Sequence, residues 1–150
     1  MDDAAAVAKR IIDANVYMTL ATADAEGRPW PSPVWFAHEG YAEFVWVSKP
    51  GARHSRNLAA RRQVGIVIFD STVGQGEADA AYVEAEAQQL EGADEERGID
   101  IFNRRSESLG WPSWSVADVR EPARLRLYGA TASSLFVLGP GDERIAVELG

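Results

Sequence analysis

Pro29, Pro31 and Pro33, in the segment PWPSPVWFA, recur at every second residue. An extended chain points the N–H groups of alternate residues to the same edge. Proline has no N–H to offer. All three prolines therefore blank one edge of a strand, and regular pairing on that side is impossible through Pro33. An edge strand protected against aggregation accounts for this pattern. So does an edge held open for a ligand, where the carbonyls and the Trp35 N–H are free to bond a planar polar heterocycle. Both readings stand at this point.

The flanking sequence supplies partners for such a strand. Residues 16–23, VYMTLATA, alternate as a strand, and DAEGR, with Gly27 as its flexible element, makes a hairpin turn into residues 29–37. HEG turns into a further strand at residues 41–48. Residues 63–71 and 80–90 read as strands, with a loop, TVGQGEAD, between them. Residues 123–138 and the segment ERIAVEL give the last two or three. Helices are expected over residues 2–14, with Asp2 or Asp3 as cap, over 52–62, and over 93–109, capped by Asp94. GWPSWSVADVREP reads as irregular. Strands outnumber helices and no βαβ alternation is present. The expected class is a mainly β, antiparallel small barrel with short helices, one domain over residues 1–150.

Composition removes whole classes of function. The chain has no cysteine and two histidines, His38 and His54, far apart. Disulfides, thiolate nucleophiles and Cys-based zinc sites are excluded, and a built-in transition-metal site is not expected. The net charge of -8 argues against nucleic-acid binding. No apolar run is long enough to span a bilayer, and the acidic start is unlike a signal peptide. A cytoplasmic protein is the expectation.

Against that acidic background, residues 44–69 hold no Asp or Glu, yet include Lys49, Arg53, Arg56, Arg61 and Arg62. A helix N-terminus favours anions, and arginine adds a bidentate fork. Ser48, Gly51 and Ser55 add hydroxyls and close backbone approach at the same strand-to-helix junction. A solvated charged helix explains the patch equally well. Arg61 and Arg62 fall at the helix's other end, where cations suit the dipole without a ligand. There is no Walker loop and no GxGxxG. Trp30, Trp35 and Trp46 lie near the junction, either as core residues or beside a bound ring.

The succession LATADAEGRPWPSPVWF, then VSKPGARHSRNL, then GQGEADAAYVEAEAQQL and RLRLYGATASSLFVL, resembles the pyridoxamine 5'-phosphate oxidase-like, FMN-binding split β-barrel proteins. The similarity covers most of residues 10–140. It implies a homodimer with flavin clefts between subunits. It places the flavin ring against Ser32, Pro33, Val34 and Trp35, and the phosphate at the end of the strand carrying Val47 and Ser48, on Lys49, Arg53 and His54, with Ser55 beside them. Gln75, Trp111 and Trp114 are then candidates for closing the cleft from the partner subunit. The chain departs from the true oxidases in two places. It reads Arg53-His54 where the family often has Arg-Lys. Its C-terminal segment, LGPGDERIAVELG, lacks the Arg- and His-rich grip on a substrate phosphate. The resemblance thus implies a flavin-dependent oxidoreductase of unknown substrate, not a pyridoxamine phosphate oxidase. The alternatives are an F420-dependent reductase, which would recruit Arg56 for a longer acidic tail, and a non-catalytic flavin- or haem-binding protein. An interaction domain with a basic surface helix is a further one. Tyr17, Tyr41 and His38 are the possible proton donors, each also explicable as structural.

Overall fold

The computed structural model describes residues 3–149. Eight strands form one antiparallel sheet: β1 (Tyr17–Ala23), β2 (Pro29–Trp35), β3 (Ala37–Glu39), β4 (Glu43–Ser48), β5 (Gln63–Phe69), β6 (Ala80–Gln89), β7 (Arg126–Leu138) and β8 (Arg144–Val147). Their order is β2-β1-β5-β6-β7-β4-β3, with β8 added beside β7. Three helices accompany them: α1 (Ala4–Ala14), α2 (Arg53–Ala60) and α3 (Gly92–Ser108). The sheet curls into a half-barrel, as a split barrel requires. Among the described residues no helix is long and apolar enough to cross a membrane.

The proline strand takes the position that its chemistry demands. β2 ends the sheet, paired on one side to β1 with Trp30, Ser32 and Val34 opposite Thr22, Leu20 and Met18. Gly27 turns the hairpin at φ +83°, a conformation open to glycine at no steric cost. Ser32, Val34 and Phe36 point inward and are buried, while Pro29, Pro31 and Pro33 stand exposed.

Alternation along the strands builds two cores. Met18, Leu20, Phe36, Phe44, Trp46, Ile66 and Ile68 fill the concave side, and α1 closes it with Ala8, Ile11 and Ile12. Each fully buried isoleucine contributes roughly 1.5–3 kcal/mol. Asp3 caps α1 by accepting from the Ala6 N–H at 2.9 Å; Asp2 lies outside the described residues. On the outer face Val45, Leu127, Ile99, Ile101, Phe102 and Val119 form the second core beneath α3. β4 is therefore buried on both faces, and its residues divide between the two cores by parity.

The structure corrects two sequence expectations here. The strand expected over 29–37 is two strands. Phe36 still donates to the Val16 carbonyl at 3.1 Å, on the β1 side, but Ala37 already pairs with Val45 of β4. The chain changes partners within one residue while its side chains keep alternating, so the pattern conceals the break. Asp94 does not cap α3. Glu91 is the N-cap residue, without a side-chain bond, and Asp94 and Glu95 lie in the first turn, where carboxylates suit the dipole.

Candidate functional site

The junction after β4 holds the acid-free segment. Ser48 ends β4 facing inward and is buried. Its hydroxyl lies 2.8 Å from His54 Nε2. Burial depresses the His54 pKa below its ordinary value, which keeps the imidazole neutral near neutral pH. α2 begins at Arg53, with Ala52 as an N-cap that offers no side-chain acceptor. Its first-turn N–H groups thus lack the usual capping oxygen. Arg53 stacks its guanidinium 4.2 Å from the Trp30 ring centre. Lys49 and Arg56 are exposed. Among the described residues no carboxylate pairs with Lys49, Arg53 or Arg56.

A buried polar relay fixes α2 to the proline hairpin. Asn57 Nδ2 donates to Thr22 Oγ1 at 3.1 Å, and Thr22 Oγ1 donates to the Trp30 carbonyl at 3.1 Å. Both side chains are almost fully buried. A polar pair sealed from water is costly to leave unmade, so the relay sets how the helix start faces β2. A cavity of about 460 Å³ lies alongside, its polar lining Asp24, Glu26, Arg28, Arg53, Arg56 and Asn57. Both of its acids are committed to Arg28: Asp24 accepts from the Arg28 backbone N–H and side chain, which hold its carboxyl below the usual range, and Glu26 lies 3.4 Å from the same guanidinium.

Arg61 and Arg62 have separate employment. Arg61, the C-cap residue of α2, donates to the Asp24 and Ala25 carbonyls at 3.2 and 3.1 Å. Arg62 donates to Gln88 Oε1 at 2.8 Å.

On the opposite face of β4 lies an aromatic cavity of about 600 Å³. Trp35, Val47, Trp111 and Trp114 line it, with Tyr17 and Phe102. Trp35 meets Phe102 edge-on at 4.6 Å and Trp111 at 5.3 Å. Asn103 pins the Trp114 segment, donating to its carbonyl at 2.6 Å and accepting from its N–H at 2.7 Å. Trp35 Nε1 is buried with no partner among the described residues. Trp46 is core, stacked on Tyr128.

The expected site residues thus fall into groups. Trp35, Val47, Trp111 and Trp114 come together at one cavity, within one chain. Ser48, His54, Arg53 and Lys49 gather at the helix start. Ser32 and Val34 face the core, and Pro33 the exposed side of β2. Ser55 is buried with an unpartnered hydroxyl on another side of α2. Gln75 is exposed in the β5–β6 loop, apart from both groups. Tyr17 and Phe102 were not foreseen as cavity walls. Of the possible proton donors, His38 and Tyr41 both engage Asp13, at 2.9 and 2.5 Å. The Asp13 bond, with burial, pushes the Tyr41 phenol up to about 12. Tyr17 alone of the three opens to the aromatic cavity.

A curled antiparallel half-barrel with short helices, here carrying a basic helix start and an aromatic cavity, is the split-barrel fold. The chain belongs to the pyridoxamine 5'-phosphate oxidase family, whose model matches residues 5–136. No curated protein sequence matches it. Among solved structures it resembles a heme binding protein from Mycobacterium smegmatis (TM-score 0.75, 19% identity), covering 98% of this chain and 58% of that one. It also resembles HutZ, the heme storage protein from Vibrio cholerae (TM-score 0.68, 24% identity, 86% and 90% covered). A third is a Bacteroides thetaiotaomicron protein named for 5-nitroimidazole antibiotic resistance (TM-score 0.70, 18% identity, 91% and 84% covered). The chain spans just over half the length of the mycobacterial protein.

Proposed function

We propose that this protein binds FMN and serves as a flavin-dependent oxidoreductase. The observation that carries the reading is the set of cations at the α2 start, Lys49, Arg53 and Arg56, left without carboxylate partners beside a helix N-terminus that lacks a side-chain cap. An anion is the missing partner by charge and by hydrogen-bonding capacity. The two groups of residues suit the two ends of that cofactor. Arg53, Lys49, Ser48 and the neutral His54 would hold the phosphate. Trp35 and Val47, with Trp111 and Trp114, would hold the ring; an aromatic cavity of about 600 Å³ is ordinary for a ligand site. When bound, FMN supplies hydride or electron transfer, so few reactive side chains are needed. Tyr17 is the cavity's phenol and the residue placed to hold or give a proton there. The same reading makes the protein a homodimer whose second subunit completes each cleft, with Gln75 reaching from the partner.

A second reading is haem binding without catalysis. Two of the fold relatives are named as heme proteins, and the aromatic walls suit a large flat macrocycle. Tyr17 would then be the oxygen ligand, a role tyrosine fills in some haem proteins. F420 is a third occupant, with Arg56 on its acidic tail.

The absorbance spectrum of freshly purified protein, before and after addition of FMN and of haemin, distinguishes these. Flavin bands, with bleaching by a nicotinamide donor under anaerobic conditions, are the expected result. A Soret band with no flavin uptake establishes the second reading instead. Protein that stays colourless and takes up none of the chromophores sinks both.

A further inference from the structure

α2 has a side that the cofactor reading does not use. Ser55 and Ala59, one turn apart on α2, and Arg62, two residues past its end, border the end of β6 and the start of β7. Between these elements lies a groove of about 370 Å³. Its polar lining is Ser55, Arg56, Arg62, Gln88, Gln89 and Tyr128, with no carboxylate among its lining residues.

The informative group is Ser55. It is 2% exposed and its hydroxyl has no hydrogen-bond partner among the described residues. Buried polar groups are nearly always satisfied, so an orphan at the edge of a groove implies something that comes to meet it. A serine inside a helix commonly bonds back to a carbonyl one turn earlier; this one does not. The groups around it are mainly donors. Arg56 and Arg62 bring two guanidinium groups, and Tyr128 brings a phenol. Arg62 donates to Gln88 Oε1, which leaves the Gln88 amide NH₂ free as a further donor. Donors converging without a counter-charge fit an oxyanion. Pro50, Leu58 and Ala59 supply apolar wall, and the groove is within the usual range for an organic ligand.

We propose that this groove is a second oxyanion site, taking a small organic phosphate or carboxylate between Arg56 and Arg62, with the Ser55 hydroxyl as its buried donor. It is separate from the Ser48–His54 cluster. Arg56 alone borders both this groove and the cavity beside Arg53. Occupancy of one site therefore biases the other through the position of a single side chain.

The test is a titration of isotope-labelled protein with phenyl phosphate, and separately with benzoate, followed by amide chemical shifts. It is run with and without saturating FMN, so that a failure to bind FMN does not disturb the readout. Saturable shifts at Ser55, Arg62, Gln88 and Gln89 are expected for at least one probe, and the probe that binds identifies phosphate or carboxylate. Ser55→Ala and Arg62→Gln should each weaken binding about tenfold, the worth of one charge-assisted hydrogen bond. Arg104→Gln, a loss of positive charge on α3, should leave it unchanged. The spectra also report whether each variant is folded. The proposal is overturned if neither probe saturates, if the shifts centre elsewhere, or if folded Ser55→Ala and Arg62→Gln bind as the parent does.

Discussion

Two groups of arginines, on α2 and on α3, show how one residue type is put to two uses. On α3, Arg97 forks onto Glu43 at 2.5 and 2.6 Å and reaches Glu39 at 3.6 Å. Arg104 meets Glu39 at 3.0 Å, and Arg105 donates to the Asp13 and Asn15 carbonyls. Every one of these charges is answered within the chain. The Arg97 hydrogen bond also lowers the Glu43 carboxyl below its ordinary range. On α2, Arg53 faces only the Trp30 ring and Arg56 faces solvent, as does Lys49 in the turn before the helix. An acidic chain has carboxylates to spare, so their absence here is selective. Where arginines are answered they fasten α3 to β3 and β4. Where they are not, they remain available to an external anion.

The sharpest way to break this contrast is to invert one charge in each group. Arg53→Glu should weaken FMN binding about 100-fold, since it replaces a phosphate partner by a like charge. Arg97→Glu should leave FMN affinity within about twofold, because its field is spent on groups far from the helix start. Fluorescence titration of FMN measures both, and equal losses would end the distinction. Next in size, Trp35→Ala should weaken FMN binding about tenfold by removing one face of the aromatic cavity. The same titration reads it, and an unchanged affinity would move the ring elsewhere. Smaller again, Glu43→Gln should lower stability by roughly 0.2–1 kcal/mol, as a half-exposed ion pair does, with no effect on FMN. Urea unfolding measures it.

The smallest effect concerns His54. Burial holds its pKa below the ordinary 6.5, so the unfolded chain takes up a proton there before the folded one does. Stability from this group is complete above that value and declines as the pH falls from it towards the folded pKa. His54→Gln keeps a polar partner for Ser48 and should flatten the decline below about pH 6.5. Urea melts of both proteins across that window measure the difference; parallel curves would mean that the imidazole is not held neutral.

Much of this was legible in the residues. The proline parity fixed β2 as a terminal strand, because a missing N–H cannot be supplied by context. The helix after the Lys-Pro-Gly turn reads as 52–62 in the sequence; it spans Arg53–Ala60, and Arg61 already turns to extended backbone as its C-cap. The β3 break was not legible, since Trp35–Ala37 keeps its alternation while changing partner strands. At the site, the cations could be seen as unopposed because carboxylates are missing over a whole segment. The walls of the aromatic cavity could not all be seen. Phe102 belongs to a helix whose period shows only that it is buried, and Trp111 and Trp114 reach Trp35 through a loop whose course no periodicity records. The Ser55 orphan was visible only as a serine near a helix start; its isolation is a property of packing.

The placement of the five tryptophans has an optical consequence. Trp35 and Trp114 flank Phe102, Trp111 touches Trp35, and Trp30 lies under Arg53. Only Trp46 is sealed in the barrel interior. A coloured molecule seated between the aromatic cavity and the helix start would therefore stand beside four of the five emitters. The chain carries its own light source around the place where a chromophore would arrive, and its ultraviolet emission is a readout of occupancy that needs no label.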